Sequence, residues 1–196
     1  MKKCNKERIL LIGGGGHCES VIDVIETEGK YDIFGVLDKK QVKGNLMGYE
    51  LLGSDKKLQS LVREVPNAIV TVGQIHSPDD RVRLFNDIKK LGFNLPVVIS
   101  PYAHVSKYSK IDEGTIVMHH AMINAGAVIG PNCIVNSKAL VEHGCSIGAH
   151  CHISTGAILN GGVKIEEKTF VGSNAIIVET TNVKRSSFIK AGSLIK

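Results

Sequence analysis

No tryptophan occurs among the 196 residues, and the nine aromatic side chains, five Phe and four Tyr, are scattered along the chain. Proteins that bind single nucleic-acid strands array aromatics for base stacking, so this scatter argues against that role. Neither sign of charge dominates. Residues 1–98 carry 15 basic and 13 acidic side chains, and residues 99–196 carry nine and six. With no polybasic arm to neutralise a phosphate backbone, nucleic acid is not an expected partner. No apolar run approaches the ~20 residues of a membrane helix, so no membrane insertion is expected. A charged fraction of 22% beside 43% hydrophobic residues leaves too much apolar material for general disorder. The basic start, Met1 to Arg8, runs only into Ile9-Leu10-Leu11-Ile12 before opening into glycines. That is too short for a secretory signal, and the chain reads as cytoplasmic. The five cysteines, Cys4, Cys18, Cys133, Cys145 and Cys151, are odd in number and form no CxxC pair. Neither a disulfide framework nor a zinc ribbon fits, and reduced thiols are expected.

What is present is a repeat. Stepping by six from Ile99 gives Val105, Ile111, Val117, Ile123, Ile129, Val135, Val141, Ile147, Ile153, Leu159, Ile165, Val171, Ile177, Val183, Ile189 and Ile195. The residue four places after each is Ala, Ser, Thr or Cys, with Val163 the one larger exception. Neither a helical period of 3.6 nor a heptad matches a six-residue step. The step suits a β-solenoid in which each hexad is a short strand plus a turn, and three hexads make one triangular coil. The aliphatic residue points into the prism and the small one fits its narrow cross-section. Coils stack at ~4.8 Å, the spacing of hydrogen-bonded strands, and each buried Ile or Val stabilises by roughly 1.5–3 kcal/mol.

Residues 1–98 read differently. A buried strand at Arg8–Ile12, a glycine loop, a helix from His17 to Glu28, a strand from Tyr31 to Leu37, a strand at Ala68–Val72 and a helix from about Pro78 to Leu91 alternate along the chain. Alternation of this kind implies a small parallel sheet of Rossmann type. Pro96 and Pro101 bracket the junction, so the expected division is a Rossmann-like domain at 1–98 and a β-helix at 99–196.

The loop Gly13-Gly14-Gly15-Gly16-His17-Cys18 lies between strand and helix, where backbone N–H groups and the helix dipole can hold a phosphate. It is not the full dinucleotide fingerprint, because Cys18 stands where the last glycine is required. Asp38, at the end of the second strand, is placed to accept a hydrogen bond from a ribose or base. Six of the eight histidines, His104, His119, His120, His143, His150 and His152, lie in the repeat, and none is one full coil, three hexads, from another. Stacked metal ligands would need that spacing, so no metal is expected. His143 sits two places after Val141, on the outer surface beside a turn. An imidazole there can take a proton near neutral pH, although an outward histidine by itself is more often merely solvated. Cys133, Cys145 and Cys151 occupy the small inward slot and read as core residues.

The pattern from Ile99 resembles the hexapeptide-repeat left-handed parallel β-helix. With the segments Ile12 to His17, Gly35 to Asp38, Val72-Gly73, Asn136 to His143, Ser146 to Gly148 and His152 to Ser154, nearly the whole chain resembles the sugar acetyltransferase family. That family includes the sialic acid O-acetyltransferases and the UDP-4-amino-sugar N-acetyltransferases. The resemblance implies a homotrimer with active sites between neighbouring subunits and acetyl-CoA as co-substrate, without a metal. By position it implies His143 as general base, with Asn136 and Glu142 as orienting groups. His152, Gly161, Ser173 and Ala191 then contact acetyl-CoA. Gly15, Gly16, His17, Asp38, Lys39 and Gly73 form a nucleotide-sugar pocket.

Two features pull the acceptor in different directions. Gly144 stands where the N-acetyltransferase branch often carries an acidic residue, and Glu142-His143-Gly144 with Leu159-Asn160-Gly161 looks closer to the sialic acid branch. His17 and Asp38 look like the nucleotide-sugar branch. The resemblance implies a tail beyond Lys196, so part of the coenzyme pocket is expected to be missing or supplied otherwise. The expectation is an acetyl-CoA-dependent enzyme that N-acetylates an amino sugar, nucleotide-linked, for a bacterial surface glycan. The alternatives are O-acetylation of a sialic-type sugar and a non-enzymatic scaffold that binds a biosynthetic partner through its flat faces. An NAD-linked oxidoreductase rests on the glycine loop alone.

Overall fold

A computed structural model describes residues 6–40 and 43–196. Cys4 lies outside these residues. The chain divides into two compact units, one running up to Gly73 and resuming over Asp80–Pro96, the other made of Gln74–Asp79 with Val97–Lys196. The short segment Gln74–Asp79 thus groups with the repeat although it lies early in the chain.

The first unit is α/β. Strands β1 (Glu7–Ile12), β2 (Tyr31–Leu37), β3 (Asn45–Leu46), β4 (Tyr49–Gly53) and β5 (Asn67–Val70) form a sheet in the order β3-β4-β2-β1-β5. Its β1, β2, β4 and β5 pairings are parallel, as the alternation of strands and helices requires. Helices α1 (Gly16–Glu28), α2 (Leu58–Leu61) and α3 (Asp79–Lys90) complete the unit. On α1 the side chains of Cys18, Val21, Ile22, Val24 and Ile25 are buried, the face that its apolar spacing marks. The antiparallel pair β3–β4 at the sheet edge departs from the expected all-parallel sheet. Its two-residue turn, Met47-Gly48, has positive φ at both positions, 49° and 90°. That turn suits a tight hairpin but lacks the Asn-Gly or Asp-Gly pair that usually announces one.

The second unit is a left-handed parallel β-helix of seventeen two-residue strands, from β6 (Val98–Ile99) to β22 (Leu194–Ile195). Every hexad aliphatic residue is the inner residue of one strand. Strands three hexads apart pair in parallel, as Val135 does with Ile153 and Val141 with Leu159. Three flat faces result, holding six, six and five strands. The first face carries Val98–Ile99 through Phe188–Ile189. The second carries His104–Val105 through Leu194–Ile195, and the third Lys110–Ile111 through Asn182–Val183. Inside runs one continuous core that includes Val117, Ile123, Val135, Val141, Ile153, Leu159 and Ile177, all with no exposed surface.

The small inward residues do more than fit. Where the third face turns into the first, the sequence places Thr115, Cys133, Cys151 and Thr169. Each donates to a carbonyl of the next coil: to Gly130 at 2.9 Å, Gly148 at 3.1 Å, Glu166 at 3.2 Å and Lys184 at 3.1 Å. A buried carbonyl left without a donor would cost about 1–3 kcal/mol, which explains hydroxyls and thiols at this edge. The edge between the first and second faces uses Ala103, Ala121, Ala139, Ala157 and Ala175 instead. Coil contact is tight at Gly148, where an added Cβ would lie 2.6 Å from the Glu167 amide nitrogen.

The described cysteines, Cys18, Cys133, Cys145 and Cys151, are buried free thiols. Burial pushes the Cys18 thiol up to about 11. An unfolded thiol ionises at about 8.5, so the stability held by the protonated Cys18 is complete below that pH and is lost as pH rises toward 11. Iodoacetamide at about pH 8.5 is therefore expected to leave Cys18 unmodified in the native protein and to label it in urea. Labelling of the native protein at the urea rate would contradict its burial.

Candidate functional site

In the first unit the four consecutive glycines divide by what surrounds them. Gly13 has φ +111°, and a Cβ there would sit 2.9 Å from the Val72 amide nitrogen. Its N–H donates to the Leu37 carbonyl at 2.7 Å, and its own carbonyl accepts the Thr71 hydroxyl at 2.6 Å. Gly14 donates to Asp38 Oδ2 at 2.7 Å, and a Cβ on it would press on that side chain at 3.1 Å. These two glycines are required by packing. Gly15 and Gly16 are not, since a Cβ on either would meet nothing within 4 Å. Both lie at the start of α1, where Gly15 is the N-cap and makes no side-chain cap hydrogen bond. Open backbone at a helix N-terminus is the arrangement that receives a phosphate.

Asp38 fixes this loop. Its second oxygen accepts the Lys40 N–H at 2.7 Å, so the carboxylate braces the glycine turn from the end of β2. Lys39 pairs with Asp80 at 3.8 Å on the surface. His17, on the first turn of α1, lies under Gly73, whose added Cβ would be 3.5 Å from the His17 Cβ. The proposed pocket residues of this unit are thus brought together around one loop.

His143 is exposed on the edge where the second face turns into the third. Its ring lies over Gly161, the residue one coil above, and a Cβ on Gly161 would be 2.8 Å from both Cε1 and Nε2 of the imidazole. Ala125, Gly126, Gly144 and Gly162 keep the turns next to His143 short of side chains. Glu142 is beside His143 in sequence, but its carboxylate accepts from Asn124 Nδ2 at 2.8 Å and from the His143 backbone N–H at 3.3 Å. It orders the turn that carries His143. Asn124 was not marked by the sequence motifs, although it lies one full coil before Glu142 and the repeat stacks the two.

Asn136 does not join His143 within the chain. One hexad corresponds to one face of the prism, so Asn136 falls on the edge between the first and second faces. There its Nδ2 lies 3.1 Å from Nε2 of His152, and its Oδ1 accepts the Ser137 N–H at 2.7 Å. Ser154 and Ser173 share a hydrogen bond of 3.0 Å on the same edge, with Ala191 stacked one coil above Ser173. The expected coenzyme contacts are accordingly split: Ser173 and Ala191 on one edge of the second face, Gly161 with His143 on the other. His152 is 6% exposed, with its Nδ1 2.7 Å from the Gln74 carbonyl. Gln74 is a residue that no motif signalled. Among the described residues no group of three or more His, Cys, Asp or Glu is arranged to hold a metal ion. No helix among them is long and apolar enough to cross a membrane.

Comparison with known proteins places these features. The family model described as the PglD N-terminal domain matches residues 8–88. The acetyltransferase domain of PglB from Neisseria gonorrhoeae is similar at 33% identity, with 97% of this chain and 92% of that one covered and a TM-score of 0.92. The same domain in complex with acetyl coenzyme A gives 32% identity, 97% and 93% coverage and a TM-score of 0.89. A histidine-to-asparagine variant of perosamine N-acetyltransferase from Caulobacter crescentus, in complex with CoA and GDP-perosamine, is 27% identical over 95% of this chain and 91% of that one, with a TM-score of 0.70. No curated protein matches the chain in sequence.

The division of the glycine loop is testable by stability alone. Gly13→Ala is expected to lower unfolding free energy by about 1–3 kcal/mol, the range for overpacking. Gly16→Ala, inside a helix and without a neighbour, is expected to raise it by up to about 1 kcal/mol. Urea denaturation of both variants measures this, and a destabilised Gly16→Ala would mean that the loop needs that glycine for its own packing.

Proposed function

The chain belongs to the hexapeptide-repeat sugar acetyltransferases, and from that membership we propose that it transfers the acetyl group of acetyl-CoA to the amine of a nucleotide-linked amino sugar in bacterial surface glycan biosynthesis. The observation that carries this reading is the exposed His143 imidazole lying over Gly161 on a glycine-lined edge. The Caulobacter relative, which binds CoA together with GDP-perosamine, supports an amino sugar carried on a nucleotide. Gly15 and Gly16 at the start of α1, with Gly14 and Lys40 held by Asp38, supply the phosphate-binding element such an acceptor needs. His17, Lys39 and Gly73 line the remainder of that pocket in this reading.

When bound, acetyl-CoA supplies a thioester carbonyl already activated toward attack. Gly161, Ser173 and Ala191 are the residues that would hold it, and the absence of a side chain at Gly161 is what lets the His143 ring lie against the backbone there. His143 takes the proton from the acceptor amine as its nitrogen attacks. Glu142, held by Asn124, keeps the base in place through the turn backbone. Acceptor N–H is the favoured target. The second reading, O-acetylation of a sialic-type sugar, is favoured by Gly144 directly after the base. A reduced, acetyl-CoA-containing compartment, the cytoplasm, suits both readings and the free thiols.

The site calls for more than one copy, because its residues lie on two edges of one prism. Five of the six outward residues of the second face, Met122, Leu140, Ile158, Ile176 and Leu194, are apolar, the sixth being the exposed His104 at its first strand, and Met122, Ile176 and Leu194 are 41%, 37% and 57% exposed. Those of the third face, Lys110, Val128, Ser146, Lys164 and Asn182, are mostly polar. An exposed apolar face between the two halves of a site supports a homotrimer closed through that face, in which one subunit's His143 edge meets its neighbour's Ser173 edge.

Two outcomes are expected. His143→Ala is expected to lower the release of free CoA in the presence of amino-sugar nucleotides by about 10²–10⁴-fold without changing thermal unfolding, the range for loss of a general base; wild-type turnover would remove His143 from the chemistry. A panel of UDP-, GDP- and CMP-linked sugars in the same assay identifies the acceptor, and mild alkali, which cleaves an O-acetyl ester and spares an amide, separates N- from O-acetylation of the product. Ile176→Glu combined with Leu194→Glu is expected to give a species of lower mass in light scattering, and an unchanged oligomer would discard this face as the interface.

A further inference from the structure

His152 stands on the outer surface of the first face and is nevertheless buried between two partners from distant parts of the chain. A carbonyl oxygen only accepts, so the 2.7 Å contact to Gln74 requires the proton to be on Nδ1. Nε2 is then an acceptor and receives Nδ2–H of Asn136 at 3.1 Å. The amide orientation of Asn136 is fixed independently, because its Oδ1 accepts the Ser137 N–H at 2.7 Å. Every donor in this series, Ser137 N–H to Asn136, Asn136 to His152, His152 to Gln74, therefore points one way.

The ring is also held by shape. Phe170 meets it edge-on at 5.2 Å and 80°, and Phe188 stacks on Phe170 at 5.1 Å. The segment that supplies the Gln74 carbonyl is itself tied to this ladder, since His76 stacks on Phe188 at 5.7 Å and 17°. Gln74 is 2% exposed. Both ring nitrogens of His152 are thus engaged within the chain, which leaves neither to contact the thioester directly.

We infer that His152 is a positioning residue that, held in its Nδ1–H form by the Gln74 carbonyl, sets the amide of Asn136 at the acyl-group edge and ties the Gln74–Asp79 segment to that edge. This revises its expected role as an acetyl-CoA contact and rests on the reading of that edge as the coenzyme side of the site. Asn136, beside Ser137, Ser154 and Ser173, is the group that the series delivers there. A second proton on His152 would force the Asn136 amide to turn and break its bond to Ser137.

Long-range proton–nitrogen spectra of the full-length protein labelled with ¹⁵N-histidine test this, with the His152 signals assigned by their loss in His152→Phe. One protonated Nδ1 and one bare Nε2 are expected, unchanged on addition of acetyl-CoA. In Asn136→Asp the carboxylate has no hydrogen to give, and His152 is expected to become protonated on both nitrogens. An Nε2–H form, a nitrogen shift on adding acetyl-CoA, or an unaltered pattern in Asn136→Asp would each overturn the inference. His152→Phe, which keeps the packing on Phe170, is expected to lower kcat by about tenfold or more while KM for acetyl-CoA stays within about twofold; a loss confined to KM would instead mark direct coenzyme contact. The spectra need no turnover, so they decide this inference separately from the CoA-release assay that decides the function.

Discussion

The register of one coil on the next governs everything else in the second unit. Each strand is only two residues long, and no such strand is stable by itself. Parallel pairing at a step of three hexads makes every aliphatic residue sit on the one a full coil earlier, as Ile123, Val141, Leu159 and Ile177 do. An inserted or deleted residue would move the next aliphatic residue out of the core and leave the coil carbonyls without donors. The uninterrupted hexads from Ile99 to Ile195 are the sequence signature of that constraint. The edges that carry the proposed site inherit their geometry from it.

The residues of the proposed site lie where the constraint is slack. The aliphatic and small inward residues, and turn glycines such as Gly148, are fixed by packing, whereas the outward turn side chains carry no part of the core. His143, Asn136, Ser154 and Ser173 all occupy turns. The prism distributes them: residues one hexad apart are on successive edges, and residues three hexads apart are on the same edge one coil higher. A site that draws on both edges of the second face gains from an apolar surface between them, because self-association buries the face and joins the edges in one step. The glycine loop of the first unit has the same division. Gly13 and Gly14 are held by Val72 and Asp38, while Gly15 and Gly16 leave backbone exposed at the start of α1.

The β-helix was legible because its period is incompatible with a helix and long enough to leave no ambiguity. The expected set of His143, Asn136 and Glu142 shows where that legibility stops, since proximity along the chain is not proximity in a prism. Asn136 belongs with His152, and Glu142 with Asn124. Both pairings follow from the coil arithmetic: Asn124 is one coil below Glu142, and Asn136 lies at the same corner as the strand that carries His152 one coil on. The same three-hexad step separates the alanine edge from the Thr and Cys edge, a distinction that a single-hexad step averages away. Gln74 is different. Nothing local marks its carbonyl as the partner of a residue 78 positions later, and backbone groups carry no residue-specific signal. The hairpin at Met47-Gly48 was hidden for a simpler reason, since methionine rarely takes a left-handed conformation.

In the proposed assembly, catalysis joins two edges contributed by two copies of one chain. This is tested most directly by mixing subunits of His143→Ala with subunits of Asn136→Ala after dissociation and reassociation, each inactive alone. If the edges meet between neighbours, random reassembly restores about a quarter of wild-type acetyl transfer, the fraction of interfaces that combine an intact His143 with an intact Asn136. If both edges act within a single chain, the mixture stays as inactive as its parents.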